Sequence, residues 1–372
     1  MLVGIPKEVK IHEYRVGLMP AGVREVVAHG HKVLVETGAG MGVGVSDADY
    51  RAAGADIAFD ATEVFGTADM IVKVKEPQVQ ERAMLRKGQI LFTFLHLAPD
   101  PDQTRDLVES GAVCIAYETV TSPHGGLPLL APMSEVAGRM SVQAGAHCLE
   151  KAQGGMGMLL GGVPGVEPAK AVILGGGVVG RHAAQMAVGL GAGVTILDRD
   201  VNVLQDLWTQ FGRSVNTVFS TRDAIERHVL AAHLVIGAVL VPGATTPKLV
   251  TSEMVRRMQP GAVVVDVAID QGGCVETSHP TTHADPIFEV DGVIHYCVAN
   301  MPGAVPRTAN LALNNVTLPF VVALAGKGYR QAMRDDRHLL AGLNVYSGEV
   351  TCRQVAESLG YPHKAAEELL GI

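Results

Sequence analysis

Three glycines and one aspartate outline the first chemistry in this chain. Gly175, Gly177 and Gly180 stand as G-x-G-x-x-G directly after the apolar run 171–174, and Asp198 closes the next apolar run, 194–197. Gly175 permits a tight turn. Gly177 lets backbone amides approach a pyrophosphate at a helix N-terminus, where the helix dipole favours negative charge, and Gly180 allows helix and strand to pack closely. A carboxylate at Asp198 accepts hydrogen bonds from the adenosine ribose hydroxyls and repels a 2′-phosphate. The set therefore predicts a dinucleotide-binding unit with NAD favoured over NADP, and Arg199 is the one residue that argues the other way. A glycine-rich turn without a nucleotide is the bland alternative; strand, helix and acid together weigh against it.

A second group of polar residues follows apolar strands. In open parallel sheets, ligands bind beyond the carboxyl ends of the strands. Arg15 lies in the loop after the first strand, Lys75 follows the strand 70–74, and His96 ends the apolar run 90–95. Asp270 follows the strand 262–267, just before Gly272 and Gly273. Two cations, an imidazole and a carboxylate are thus expected to converge on the cleft between the domains. Each residue has a plainer reading. Arg15 pairs with Glu8 or Glu13, Lys75 is a solvated loop residue, His96 is a packing residue and Asp270 is a turn residue. Lys73 and Asp266 have the same chemistry as Lys75 and Asp270 and stand as alternatives to them.

The elements that must position these residues alternate between strand and helix. Strands are expected at 2–5, 32–36, 70–74, 90–95 and 113–116, with helices at 20–29 and 47–53. A long helix at 132–153 leads to strands at 171–174, 194–197, 215–219, 233–236, 262–267 and 293–298. The alternation predicts an α/β protein of two Rossmann-like, doubly wound parallel-sheet domains with a cleft between them. The region after Pro306 reads as helical, with 309–325 interrupted by Pro319, and as free of strands. It is expected to pack back on the first domain. The boundaries are then 1–133 plus 307–372 for a substrate and catalytic domain, and 134–306 for an NAD-binding Rossmann domain.

Composition narrows the classes. The chain has 372 residues, a net charge of −8 and 48% hydrophobic residues. That charge argues against nucleic acid as a partner. The N-terminus does not read as a signal peptide, and no uninterrupted apolar run approaches the ~18–20 residues of a membrane span. A cytoplasmic location and no membrane partner are expected. The five cysteines are scattered without C-x-x-C and read as reduced, mostly buried thiols, so no metal is expected.

These residues also carry a resemblance. Val3-Gly4-Ile5-Pro6-Lys7-Glu8, Glu13-Tyr14-Arg15-Val16 and Lys73-Val74-Lys75-Glu76-Pro77 resemble the alanine dehydrogenase and nicotinamide nucleotide transhydrogenase superfamily. Segments 92–98, 117–119, 129–139, 161–166, 236–243, 266–274 and 300–306 are closer to its alanine dehydrogenase branch. The likeness runs from residue 1 to about 345. It implies reversible oxidative deamination of L-alanine to pyruvate and ammonia with NAD, in a homo-oligomer, typically a hexamer. It implies Arg15 and Lys75 as substrate-binding cations and His96 and Asp270 as the catalytic pair. Ser134, Val178, Val179, Asp198, Ser220, Val239, Leu240, Val267, Ala268, Ile269, Asp270, Val298, Ala299, Asn300 and Met301 resemble the nucleotide contacts, beside Gly175, Gly177 and Gly180. Val203 stands where a basic residue can meet the adenosine end, and His279 where an arginine can occur. The main alternative is the NAD(H)-binding subunit of a proton-translocating transhydrogenase, in which Arg15 and His96 have no evident task. A non-catalytic NAD sensor on the same fold is the other.

Overall fold

A computed structural model describes residues 1–239 and 246–372. The chain divides into two compact units, Met1–Met133 with Val305–Ile372, and Ser134–Ala304. In the first unit the strands are β1 (Leu2–Ile5), β2 (Lys32–Glu36), β3 (Asp56–Ala58), β4 (Met70–Val72), β5 (Ile90–Thr93) and β6 (Val113–Ala116). All six consist mainly of apolar residues, and β4, β5 and β6 are buried throughout, as expected for strands covered on both faces. They pair in parallel in the order β3-β2-β1-β4-β5-β6.

The second unit repeats that order. Its strands are β7 (Lys170–Leu174), β8 (Gly193–Asp198), β9 (Val215–Phe219), β10 (Leu234–Gly237), β11 (Val263–Asp266), β12 (Ile287–Val290) and β13 (Val293–Tyr296). The parallel part runs β9-β8-β7-β10-β11-β13. This is the dinucleotide-binding arrangement, whose order reverses between β7 and β10. Leu174, Leu197, Val235 and Val264 pack in the core on one face of this sheet with Ile225, Val229 and Val255.

Both sheets are mostly parallel, as the alternation implies, and each ends in an antiparallel hairpin. β12 pairs with β13 around Asp291-Gly292. The tail, expected to hold no strand, contributes β14 (Leu343–Tyr346) and β15 (Glu349–Val350), with β14 antiparallel to β6. The turn between them is Ser347-Gly348. All four turn residues have positive φ, the geometry of two-residue hairpins that match the strand twist.

The long helix of the tail, Pro306–Asp335, also differs from expectation. Pro319 does not interrupt it; the break in helical geometry is at Gly328, with φ 70°. The carbonyl left without a donor by Pro319 belongs to Asn315, which is exposed to water. By length and mean hydropathy this helix could cross a membrane. Its buried face carries Asn310 and Asn314, one turn apart. They accept from the backbone amides of Val16 and Met19, each at 2.5 Å, and Asn314 donates to Gly17 O at 3.3 Å. Such obligations to a neighbouring loop mark a core helix of the first unit. The helix expected at 132–153 runs Ala131–Cys148 and is followed by a short 3-10 turn, Lys151–Gln153.

Gly180 lies in the helix Val178–Gly189, against the turn that leaves β7. A Cβ there would stand 1.8 Å from Gly175 O. The Gly180→Ala variant must therefore push helix and turn apart, at about 1–3 kcal/mol for overpacking. Thermal denaturation should show a melting temperature lower by several degrees; an unchanged midpoint would refute the packing argument.

Candidate active site

In the first sheet the strand order reverses between β1 and β4, and the loops that leave these two strands hold the candidate cations. Arg15 is nearly fully buried. Its Nε and Nη2 donate to Glu13 Oε1 and Oε2 at 2.7 and 2.6 Å, and its Nη1 contacts Met133 Sδ at 2.9 Å. The pairing with Glu13 considered from the sequence is present, but in the interior.

The two lysines after β4 are separated by burial. Lys73 is 0% exposed, and its Nζ donates to Glu8 Oε2 at 3.1 Å and Glu81 Oε1 at 2.7 Å. Lys75 is half-buried, and among the described residues its ammonium makes no hydrogen bond or ion pair. Its carbonyl accepts from Thr93 Oγ1 at 3.0 Å. The structure therefore leaves Lys75, and not Lys73, able to meet a ligand.

His96 is exposed at the end of β5, and its φ of 50° is a left-handed value that a non-glycine residue adopts only at a cost. Glu118, just after β6, holds it there. Glu118 Oε1 accepts from His96 N at 2.6 Å, and both its oxygens accept from Leu95 N at 3.2 Å. The imidazole stacks on Phe94, with ring planes 2° apart and centroids at 5.6 Å. Phe94 and Phe92 both meet Tyr117 edge-on, and the Tyr117 hydroxyl donates to Lys73 O at 3.0 Å. Reading strand ends pointed to Arg15, Lys75 and His96; it gave Glu8 only as a possible partner of Arg15 and assigned no role to Tyr117 or Glu118. Asking the same question at the end of β6 would have found Glu118.

In the second unit, Gly175 has φ 100°, and a Cβ on it would stand 2.7 Å from Ala238 O. A Cβ at Gly177, which caps the helix Val178–Gly189, meets nothing within 4 Å. The open space thus lies at the helix N-terminus, where a pyrophosphate fits. Val178 is exposed and Val179 half-buried beside it. Asp198 Oδ2 accepts from Gly176 N at 2.7 Å and Oδ1 from Asp200 N at 2.8 Å, which fixes the carboxylate and leaves lone pairs for further donors. Val203, one of the two departures from the resemblance, packs so close that a Cβ at Gly176 would lie 2.8 Å from it. The other, His279, stacks on Phe288 at 3.7 Å. Arg199 is exposed.

The remaining candidates sit at the carboxyl ends of the second sheet. Ser220 follows β9, and its N–H donates to Asp198 O at 2.9 Å. Val239 follows β10; Leu240 lies outside the described residues. After β11 comes the 3-10 turn Val267–Gln271, with Ala268 and Ile269 buried and Asp270 exposed. Asp266 is buried and accepts from Cys274 N at 3.0 Å and Val275 N at 3.1 Å. This makes it a pin for its loop and leaves Asp270 as the accessible acid. After β13, Val298 and Met301 are buried, Ala299 N donates to Thr281 O at 3.2 Å, and Asn300 has φ 62°. Ser134 is half-buried in the helix Ala131–Cys148. All five cysteines are free and buried, and burial pushes the Cys114 and Cys297 thiols up to about 12. No group of three potential metal-ligating side chains occurs among the described residues.

Two α/β units of one strand order, one carrying a glycine turn whose amide donates to the carboxylate that ends the next strand, have the architecture of dinucleotide-binding proteins. Two family models match: the alanine dehydrogenase/PNT N-terminal domain over residues 4–137 and the C-terminal domain over 141–353. The chain belongs to the alanine dehydrogenase/PNT family, which implies a nicotinamide cofactor. It is 60% identical over 371 residues to an alanine dehydrogenase of Halomonas elongata, with 100% of each chain covered. It is 53% identical to the alanine dehydrogenase of Bacillus subtilis, covering 100% of this chain and 98% of that one. Among solved structures, an L-alanine dehydrogenase superposes with a TM-score of 0.93 at 53% identity, covering 97% of this chain and 99% of that one. A transhydrogenase from Sinorhizobium meliloti superposes at 0.80 with 26% identity, covering 95% and 99%.

The buried charges make the first unit sensitive to pH. Burial pushes the Glu8 carboxyl up from 4.5 to about 7; Lys73 pulls it down, but Glu13 and Glu81 push it up again. Between those two values the folded protein holds a proton that the unfolded chain has released. Glu8 therefore makes stability fall as pH rises through that window. Glu8→Gln removes the effect, so its melting temperature relative to wild type should increase between about pH 5 and pH 7.5. A flat or falling difference in calorimetry would show that Glu8 titrates as an ordinary carboxylate.

Proposed function

We propose that this protein catalyses the reversible oxidative deamination of L-alanine to pyruvate and ammonia with NAD. The observation that carries the reading is full-length identity of 53–60% to alanine dehydrogenases, in a chain whose β1, β4 and β5 lead to Arg15, Lys75 and His96. The open space at Gly177 and the oriented carboxylate of Asp198 fit an adenine dinucleotide without a 2′-phosphate. When bound, the cofactor supplies nicotinamide C4 as hydride acceptor or donor.

The chain's own residues do the rest. Arg15 binds the substrate carboxylate; the sulfur of Met133 at Nη1 is a weak acceptor that a carboxylate displaces. Lys75 donates to the carbonyl oxygen and stabilises charge developing there. His96 exchanges a proton with that oxygen. Asp270 handles the proton of ammonia or water. Ser134, Val178, Val179, Ser220, Val239, Leu240, 267–270 and 298–301 complete the cofactor contacts. The reading includes a homohexamer in the cytoplasm, without nucleic-acid or membrane partners. Transhydrogenase chemistry is the weaker reading, since the Sinorhizobium meliloti transhydrogenase is 26% identical against 53–60% for the alanine dehydrogenases.

NADH formation with L-alanine, and its consumption with pyruvate plus ammonia, tests the activity directly; no alanine-dependent turnover would overturn it. His96→Gln keeps a hydrogen bond but carries no proton, so kcat should fall roughly 10²–10⁴-fold while NADH fluorescence titration stays near wild type. Wild-type turnover in this variant would pass the proton to another group. Asp198→Gly should weaken NAD binding by about 1.5–3 kcal/mol and narrow the preference over NADP. Unchanged affinities for both would refute the cofactor assignment.

A further inference from the structure

We propose that Glu8 is a positioning residue of the substrate site: its buried carboxylate ties the loop after β1 to the end of β4 and so holds the peptide that presents Lys75. The inference rests on the reading of Lys75 as the group that meets the substrate oxygen.

The segment 73–75 is gripped at five polar backbone groups. Lys73 N donates to Phe92 O at 3.2 Å, and Lys73 O accepts from Tyr117. Val74 N donates to Glu8 Oε1 at 2.7 Å, and Val74 O accepts from Phe94 N at 3.2 Å. Lys75 O accepts from Thr93. Among the described residues, Glu8 is the one side chain that takes both a backbone amide and a side-chain ammonium of this segment. On the other side of Lys75, Lys10 pairs with Glu76, so a second ion pair from the loop after β1 flanks it. Lys75 thus stands between two anchored neighbours, while among the described residues its own ammonium makes no hydrogen bond or ion pair.

A purely stabilising role explains this poorly. Burying Glu8, Lys73 and Glu81 costs desolvation that well-packed apolar side chains of similar volume would avoid, often with equal or better stability. One ammonium cannot neutralise two carboxylates, and burial first, with Glu13 and Glu81 adding to it, pushes the Glu8 carboxyl up despite Lys73. Directionality is what the charged set adds. A carboxylate accepts from Val74 N at one oxygen and from Lys73 at the other, which fixes the rotation of the peptide leading into Lys75. An apolar residue accepts from neither. Glutamine accepts at only one atom and turns an amide donor toward the Lys73 ammonium.

The test is a double-mutant cycle on the full-length protein in complex with NADH. Affinity for oxamate, an isostere of pyruvate, is read by fluorescence titration in wild type, Glu8→Gln, Lys75→Ala and the double variant. Glu8→Gln should weaken oxamate about tenfold in the wild-type background and by less than about twofold in the Lys75→Ala background, as coupled residues behave. NADH affinity should stay within about twofold throughout, and the KM for pyruvate should rise with the loss of oxamate affinity. Equal losses in both backgrounds, or none in either, would overturn the proposal. Glu8→Asp keeps the charge but is one methylene too short to hold both donors. It should show the same coupling and serves if the Gln variant fails to fold. If wild type itself neither turns over alanine nor binds oxamate, the reading of the site fails first and this role falls with it. Turnover and binding in wild type with an additive cycle refutes the positioning role alone.

Discussion

A crossover between parallel strands is right-handed, so each return of the chain delivers its next loop to the same edge of the sheet. Both units are built on this constraint. Their parallel strands follow one order, and in each the order reverses between the first strand and the fourth of the unit. Every loop that leaves a parallel strand at its carboxyl end therefore lies on one rim. Residues far apart in sequence, such as Arg15 and His96, become neighbours in topology because β1, β4 and β5 are adjacent.

The same scaffold serves the two rims differently. In the second unit the loop after β7 is short and glycine-rich, and the helix starts at once, which suits an anion. In the first unit the loop after β1 is long and charged, and Arg15, Glu13 and Glu8 occupy the corresponding position. Strand order alone does not distinguish a nucleotide site from a substrate site; the loops do.

Burial sorts residues that look equivalent in sequence. Lys73 and Lys75 lie two residues apart just beyond β4, a spacing that would put both on one face of a regular strand; burial separates them, with Glu8 and Glu81 receiving Lys73 in the interior while Lys75 stays half-buried. Asp266 and Asp270 divide in the same way: the first pins the amides of Cys274 and Val275, the second stays exposed beyond the 3-10 turn. In both pairs the buried charge shapes the loop that carries the accessible one. Glu118 does this for His96 through backbone amides.

Local pattern was enough to find the α/β alternation, the glycine turn with Asp198, and Arg15, Lys75, His96 and Asp270 as strand-end residues. These signals are short-range: hydrophobic period, turn chemistry and the step from an apolar run to a polar residue. The hairpins were legible too, since Asp291-Gly292 and Ser347-Gly348 are turn dipeptides flanked by apolar runs, but the tail was read as helical throughout. Pro319 looked like a helix stop, and only its exposed position lets the helix continue. What the chain order could not decide was which lysine and which aspartate face solvent, or that Glu8, Glu118, Asn310 and Asn314 hold the loops in place. Those outcomes depend on contacts across 8 to 297 residues of sequence, and the burial and hydrogen-bond satisfaction they bring exist only once the sheet has assembled.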